Sequence, residues 1–218
     1  IASVKKVANE MLSSCGLAEC NQVDALDEKA IKQHIDMVVK TSRTIDISFS
    51  AIDYRDVQNI PLVDMAMDDY VRPINIAMRT QFLTATAAAK VMMKQRSGFI
   101  LTLTATPGGL GYPYTGGFSA ACCAVESFST NLASELGIYG IRIVNIRSAG
   151  SPDSKVFKDA LHSNPEEVGP VIRKMEGDTM LKQLPLMNDI ANVAVFLASD
   201  MAGKITGVTV DVTAGTTA

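Results

Sequence analysis

Hydrophobic and polar positions along this chain switch repeatedly between a helical period and a strand-like one. Val4, Val7, Ala8, Met11 and Leu12 recur at helical spacing and Gly16 is a natural stop, so an amphipathic helix opens the sequence. A short strand is expected at Glu19–Val23, then a second helix over Ala30–Val39, entered after Asp27-Glu28. Thr44–Ala51 alternates and suits a strand. Asp64 to Lys94 reads as a long helix with Ile74, Ala77, Met78, Phe82, Ala85, Ala89 and Met92 on one face. Phe99–Thr106 and Ile141–Ile146 are β-branched strands, Phe118–Leu136 and Ile190–Leu197 are helices, and Val208–Val212 is a last strand. This alternation predicts an α/β fold: a doubly wound, mostly parallel sheet with helices on both faces.

Composition narrows the class. The 218 residues are 47% hydrophobic and 20% charged, which suits a single domain over 1–218 with a substantial core. A net charge of −3 argues against a nucleic-acid partner. Charged residues or glycine interrupt every apolar run, and Ile1–Leu12 carries Lys5, Lys6 and Glu10. Neither a membrane span nor a signal peptide is therefore expected, and the localisation reads as cytoplasmic. Cys15, Cys20, Cys122 and Cys123, with only His34 and His162 beside them, form no metal-ligand spacing, so free thiols and no metal are expected.

Four stretches carry a family resemblance. Leu184–Gly215 holds a Pro, a helix ending in FLASD, an ITG and a strand closing on Gly; Arg96–Gly108 reads RSGFILTLTATPG. Asn131–Gly150 and the pair Asp24-Ala25 with Ile45–Ile47 complete the set. Together they resemble the short-chain dehydrogenase/reductase family, over essentially the whole chain. The resemblance implies a Rossmann-like oxidoreductase fold whose ligand lies at the carboxyl ends of the strands, with NAD or NADP as cofactor. It implies cofactor contacts at Asp24, Ala25, Ser50, Ala51, Ile52, Ala149 and Gly150. It also implies a homo-oligomer, a dimer or homotetramer, paired through the two long helices and the last strand. A small-molecule ligand is expected besides.

The resemblance is incomplete in two places. The family's glycine-rich phosphate loop and the strand–helix–strand around it have no counterpart after Ile1, so roughly 35–40 residues are expected to precede it. Without them Thr44–Ala51 would be an exposed edge. Gly108-Gly109-Leu110-Gly111 follows a middle strand instead and reads as a mobile loop over the site. At the centre, the family's serine position falls on Ala105, its Tyr-x-x-x-Lys on Phe118 and Cys122, and its helix asparagine on Ala77, with Asn75 two residues away. Phenylalanine cannot transfer a proton, and a neutral thiol cannot supply the lysine's charge. Asp53 stands where the family has glycine.

Three readings follow. The chain is an oxidoreductase-like protein with a degenerate site and without standard dehydrogenase activity. Alternatively it is an active oxidoreductase with a non-standard proton donor such as Tyr114, assisted by Thr104. Or it is a non-enzymatic nucleotide-sensing or interaction protein. Cys122 reads either as reactive or as buried and inert. Arg147 either binds an anionic substrate or pairs with an acid such as Asp153.

Overall fold

A computed structural model describes residues 2–14 and 16–216; Ile1 and Cys15 lie outside the described residues. Among these residues four parallel strands form one sheet in the order β1-β2-β3-β4: β1 (Ile47–Ser50), β2 (Gly98–Ala105), β3 (Ile141–Ser148) and β4 (Val208–Val212). Among the described residues seven α-helices accompany them: α1 (Ala2–Ser13), α2 (Glu28–Ser42), α3 (Met67–Gln95), α4 (Gly117–Leu136), α5 (Lys155–Ser163), α6 (Pro165–Gly177) and α7 (Met187–Ala198). Asp27 caps α2 by accepting from the Lys29 and Ala30 amides, which satisfies two of the helix's orphan donors.

The two sheet faces differ. On one, Phe99 and Leu101 of β2 and Val144 and Ile146 of β3 form an apolar layer with Ile190 and Leu197 of α7, and the Arg142 guanidinium stacks over the Phe99 ring at 4.5 Å. On the other, Ile100 and Ile143 pack against Ala85, Ala88, Ala89 and Met92 of α3 and Leu132 and Leu136 of α4. That second face turns polar toward the carboxyl ends. Thr102, Asn145 and Thr209 lie in one row, and Thr104, Arg147 and Asp211 in the next.

The predicted elements are present with four departures. Glu19–Val23 is not a strand, because β1 is an edge and no neighbouring ladder among the described residues reaches that segment. Correspondingly, Ile47 and Phe49 of β1 are 52% and 51% exposed. Phe82 leaves the apolar face of α3 and is 55% exposed, with its ring beside that of Phe128. Of the α1 apolar stripe only Ala8 is buried, while Val4, Val7, Met11 and Leu12 are exposed. Finally, α5 and α6 occupy a stretch for which no helix was expected. Their apolar residues are sparse, and Ser154 and Pro165 open them.

Candidate functional site

Parallel strands leave their loops at the carboxyl end, and the site is assembled from those loops. Ser50–Asp53 follows β1, Ala105–Gly111 follows β2, Ser148–Ser154 follows β3 and Thr213–Gly215 follows β4. The β4 loop is pinned from outside: Met180 and Leu181 amides donate to Gly215 O and Ala214 O at 2.8 and 3.1 Å. Helices α5 and α6 lean over the β3 loop. A Cβ on Gly150 would meet Phe157 Cζ at 2.6 Å and Met175 Cε at 2.8 Å, so any larger residue there would displace these two side chains.

The interior of this site is apolar and neutral. Tyr54, Ala77, Ala121 and Val125 form a buried cluster joined by Ile52 and Phe118. The Tyr54 and Phe118 rings lie 6.3 Å apart. Gln81 of α3, fully buried, donates through Nε2 to the Tyr54 hydroxyl at 3.2 Å. Burial pushes the Tyr54 phenol up to about 12, with the Gln81 bond opposing it. Cys122 is also fully buried. Its thiol is pushed up to about 12, by desolvation first, against a hydrogen bond from the Ala105 backbone, with Glu126, Cys123 and Asp56 adding negative potential. Both groups are therefore neutral over the whole physiological range. Ala77 faces this cluster while Asn75 lies on the exposed side of α3.

Beside it runs a charged network. Glu126 of α4 accepts Arg147 Nε at 2.9 Å on Oε1 and Arg147 Nη2 on Oε2, a two-point fork. Arg147 Nη1 reaches Asp211 at 3.0 Å. Thr104 donates to Glu126 Oε1 at 2.9 Å and accepts from Asn145 Nδ2 at 2.7 Å. Asn145 in turn accepts from Thr102 at 2.8 Å. The hydrogen bond to Glu126 raises the Arg147 pKa, against desolvation. Arg147 thus pairs with Glu126 and Asp211 rather than Asp153, whose carboxylate accepts the Met187 amide at 3.0 Å.

The residues singled out in the sequence divide into groups. Ala105, Phe118 and Cys122 converge on the neutral interior. Thr104 faces α4 with its hydroxyl bound on both sides. Tyr114 lies on the outer loop, 55% exposed, with its carbonyl accepting the Asn59 amide at 2.8 Å. Asp24 caps a turn, accepting the Leu26 amide at 2.9 Å, and Arg79 ties that turn to α3 through Leu26 O at 2.8 Å. Ala25 is half-buried in the same turn. Ala51 is exposed and Ile52 half-buried at the end of β1; Ala149 is buried beside Gly150. The buried hydroxyls of Ser50 and Ser151 have no hydrogen-bond partner among the described residues, which is costly unless a ligand or water supplies one. Cys20, Cys122 and Cys123 are free thiols, and no metal-binding cluster occurs among the described residues. Tyr54, Gln81, Glu126 and Asp211 were not foreseen. A legible signal existed for Glu126 and Asp211: polar residues two apart recur in three successive strands, Asp211 among them, and call for a polar partner on the covering helix, which is Glu126.

Comparison with known proteins defines the class. The family profile described as enoyl-(acyl carrier protein) reductase matches residues 2–217. Secoisolariciresinol dehydrogenase of Forsythia intermedia is 32% identical over 193 residues, covering 84% of this chain and 66% of that enzyme. This chain thus spans just under two thirds of that relative's length. Among solved structures, sorbitol-6-phosphate 2-dehydrogenase SrlD from Erwinia amylovora superposes with a TM-score of 0.90 at 23% identity, covering 100% of this chain and 87% of that one. NAD+-bound xylitol dehydrogenase gives a TM-score of 0.90 at 22% identity, over 98% and 85% of the two chains. The chain belongs to the short-chain dehydrogenase/reductase family, a family of oxidoreductases. No helix among the described residues is long and apolar enough to cross a membrane.

Proposed function

We propose that this chain is a nucleotide-binding member of its family that has lost the standard proton-transfer machinery. The observation that carries the reading is the neutral interior, where Phe118, Cys122 and Tyr54 offer no group that exchanges a proton near pH 7. The orphaned hydroxyls of Ser50 and Ser151 at the strand ends fit a hydroxyl-rich ligand, as does the NAD+ named with the xylitol dehydrogenase structure. NAD or NADP would lie along Ser50, Ala51 and Ile52, with Ala149 and Gly150 at one end and Asp24 and Ala25 at the other. The nicotinamide group supplies or accepts hydride when bound. The residues of this chain orient it and exclude water; none of those in the interior moves the accompanying proton. Exposed Phe82 on α3 and Val195, Phe196 and Met201 on and after α7 favour burial in a homodimer or homotetramer.

Calorimetric titration of NADH and NADPH, with a carbonyl turnover panel, tests this. Micromolar binding without turnover is expected, and turnover at ordinary enzyme rates overturns the loss of activity. A second reading retains turnover through Tyr114, whose backbone sits at φ 63° on an exposed loop; turnover abolished by Tyr114→Phe would establish it. If neither dinucleotide binds, the nucleotide role fails and an interaction role replaces it.

A further inference from the structure

The loop Thr106–Gly111 rests on charged side chains rather than on an apolar floor. A Cβ on Gly109 would stand 2.5 Å from Arg147 Cζ, and one on Gly108 would overlap Glu126 Oε1 and lie 3.1 Å from its Cδ. A side chain at either position would push the tip of Glu126 or Arg147 aside, so glycine lets the loop settle this closely without moving the pair. Further bonds hold it down. Ser119 Oγ donates to Pro107 O at 2.8 Å, and the Cys123 thiol to Gly108 O at 3.3 Å. The Gly109 and Leu110 amides close the turn on Thr106 O at 2.9 and 3.2 Å.

Beneath the loop, the guanidinium plane is fixed by three acceptors at once: both Glu126 oxygens and Asp211. Arg147 and Glu126 side chains are only 19% and 13% exposed, so the pair is shielded enough to hold one geometry. Its net contribution to global stability is expected to be small, because desolvation offsets the attraction. A fork of little net stability beneath two closely seated glycines points to a role in placing the loop.

We propose that the Glu126–Arg147 pair is a latch that positions the glycine loop at the rim of the strand ends, and that ligand affinity at that rim depends on it. Glu126 and Arg147 are positioning residues that act through the loop backbone. The affinity half of the inference rests on the nucleotide reading above; the loop half stands alone.

The test is the double substitution Glu126→Leu/Arg147→Met, which removes both charges of the fork together and leaves only the half-exposed Asp211 without its ion partner. Hydrogen exchange over residues 106–111 is expected to quicken about tenfold, while the melting temperature moves by only a few degrees. NADPH affinity, read by nucleotide fluorescence, is expected to weaken about tenfold, the size of a typical coupling energy. Glu126→Gln, which keeps the shape and weakens the fork, should show the same signs at smaller amplitude. Gly109→Ala supplies an independent check: it should loosen the loop in the native background and do so less in Arg147→Met. Loop exchange that stays unchanged in both latch variants overturns the proposal. If the unsubstituted protein binds neither NADH nor NADPH, the nucleotide reading falls, and the exchange measurement alone decides the latch.

Discussion

The neutral interior makes a quantitative prediction about Cys122. An ordinary thiol at 9.0 is about 9% thiolate at pH 8, whereas one pushed up to about 12 is only about 0.01% ionised. Ionisation alone therefore slows alkylation by about a thousandfold, since the thiolate is the nucleophile. Cys122 is also fully buried, between Ala105 and the Tyr54 cluster, so a reagent must wait for the helix to open. Cys123, one residue on, is exposed and has no such barrier. The assay is iodoacetamide labelling at pH 8, followed by mass spectrometry in Cys123→Ser and Cys122→Ala backgrounds. Of these two, labelling in the native protein should fall on Cys123, with Cys122 at least a thousandfold slower and brought level by denaturant. Its rate should also climb about tenfold per pH unit between 8 and 10, with no plateau. Native labelling of Cys122 within tenfold of Cys123 would refute the burial argument and reopen Cys122 as a nucleophile.

Three other perturbations probe the same framework. Tyr54 and Cys122 both ionise at about 12 in the fold, against 10.0 and 9.0 for the free groups. The fold thus favours their neutral forms, and this stability is intact below pH 9 and lost as pH rises toward 12. In urea melts between pH 9 and 11, Tyr54→Phe should lose about 1.4 kcal/mol less than the native protein; parallel losses would exclude the buried phenol. Gly117→Ala should cost several kcal/mol, because its Cβ would overlap the Tyr70 carbonyl oxygen and lie 2.9 Å from Pro73 Cγ. Gly137→Ala meets nothing within 4 Å in helical backbone and should gain about 0.5 kcal/mol; equal thermal shifts for the two would contradict the close packing of α3 on α4. Asn145→Ala removes the 2.8 and 2.7 Å bonds to Thr102 and Thr104 at a fully buried site. A loss of about 2–3 kcal/mol is expected in denaturant titration.

The fold was legible because its signals are local. Period-two strands such as Phe99–Thr106 and the α4 stripe through Ala121, Cys122, Val125 and Ser129 name their own buried faces, and those α4 residues are buried or nearly so. Glu19–Val23 failed for a non-local reason, since a strand exists only where another offers hydrogen bonds. Helices α5 and α6 failed because their faces are largely solvated. At the site, the sequence could show that Phe118 cannot transfer a proton and that a neutral Cys122 cannot supply a lysine's charge. It could not show what fills the space around them. Tyr54 directly follows a turn residue, Asp53, whose carboxylate accepts the Arg55 amide, and nothing in its neighbours reveals that its ring turns inward toward Gln81. Arg147 was recognised as unusual, but Asp153 is near it only in sequence. Its actual partners come from α4 and β4 through strand register.

That register also explains why the charges sit where they do. Along one face of the sheet, successive rows run from Ile100 and Ile143, through Thr102, Asn145 and Thr209, to Thr104, Arg147 and Asp211. Polarity rises in the direction of the strands, while on the opposite face the rows between, Leu101 with Val144 and Leu103 with Ile146, are apolar. Were the polar rows merely tolerated, solvent exposure would satisfy them; instead α4 lays Glu126 directly onto Arg147 and Ser129 onto Thr102. A helix that could have been apolar throughout carries two polar side chains matched to two strand rows. Burying an ion pair gains little net stability over an apolar filling of the same volume. What the pair does provide is direction: a bidentate fork fixes one orientation of α4 against β3, where interchangeable methyl groups would accept several. The loop leaving β2 is built on that orientation, with glycines at the two points of closest approach. Precision at the strand ends is therefore inherited from the polar rows beneath them, and loosening those rows should disturb the loops before it unfolds the sheet.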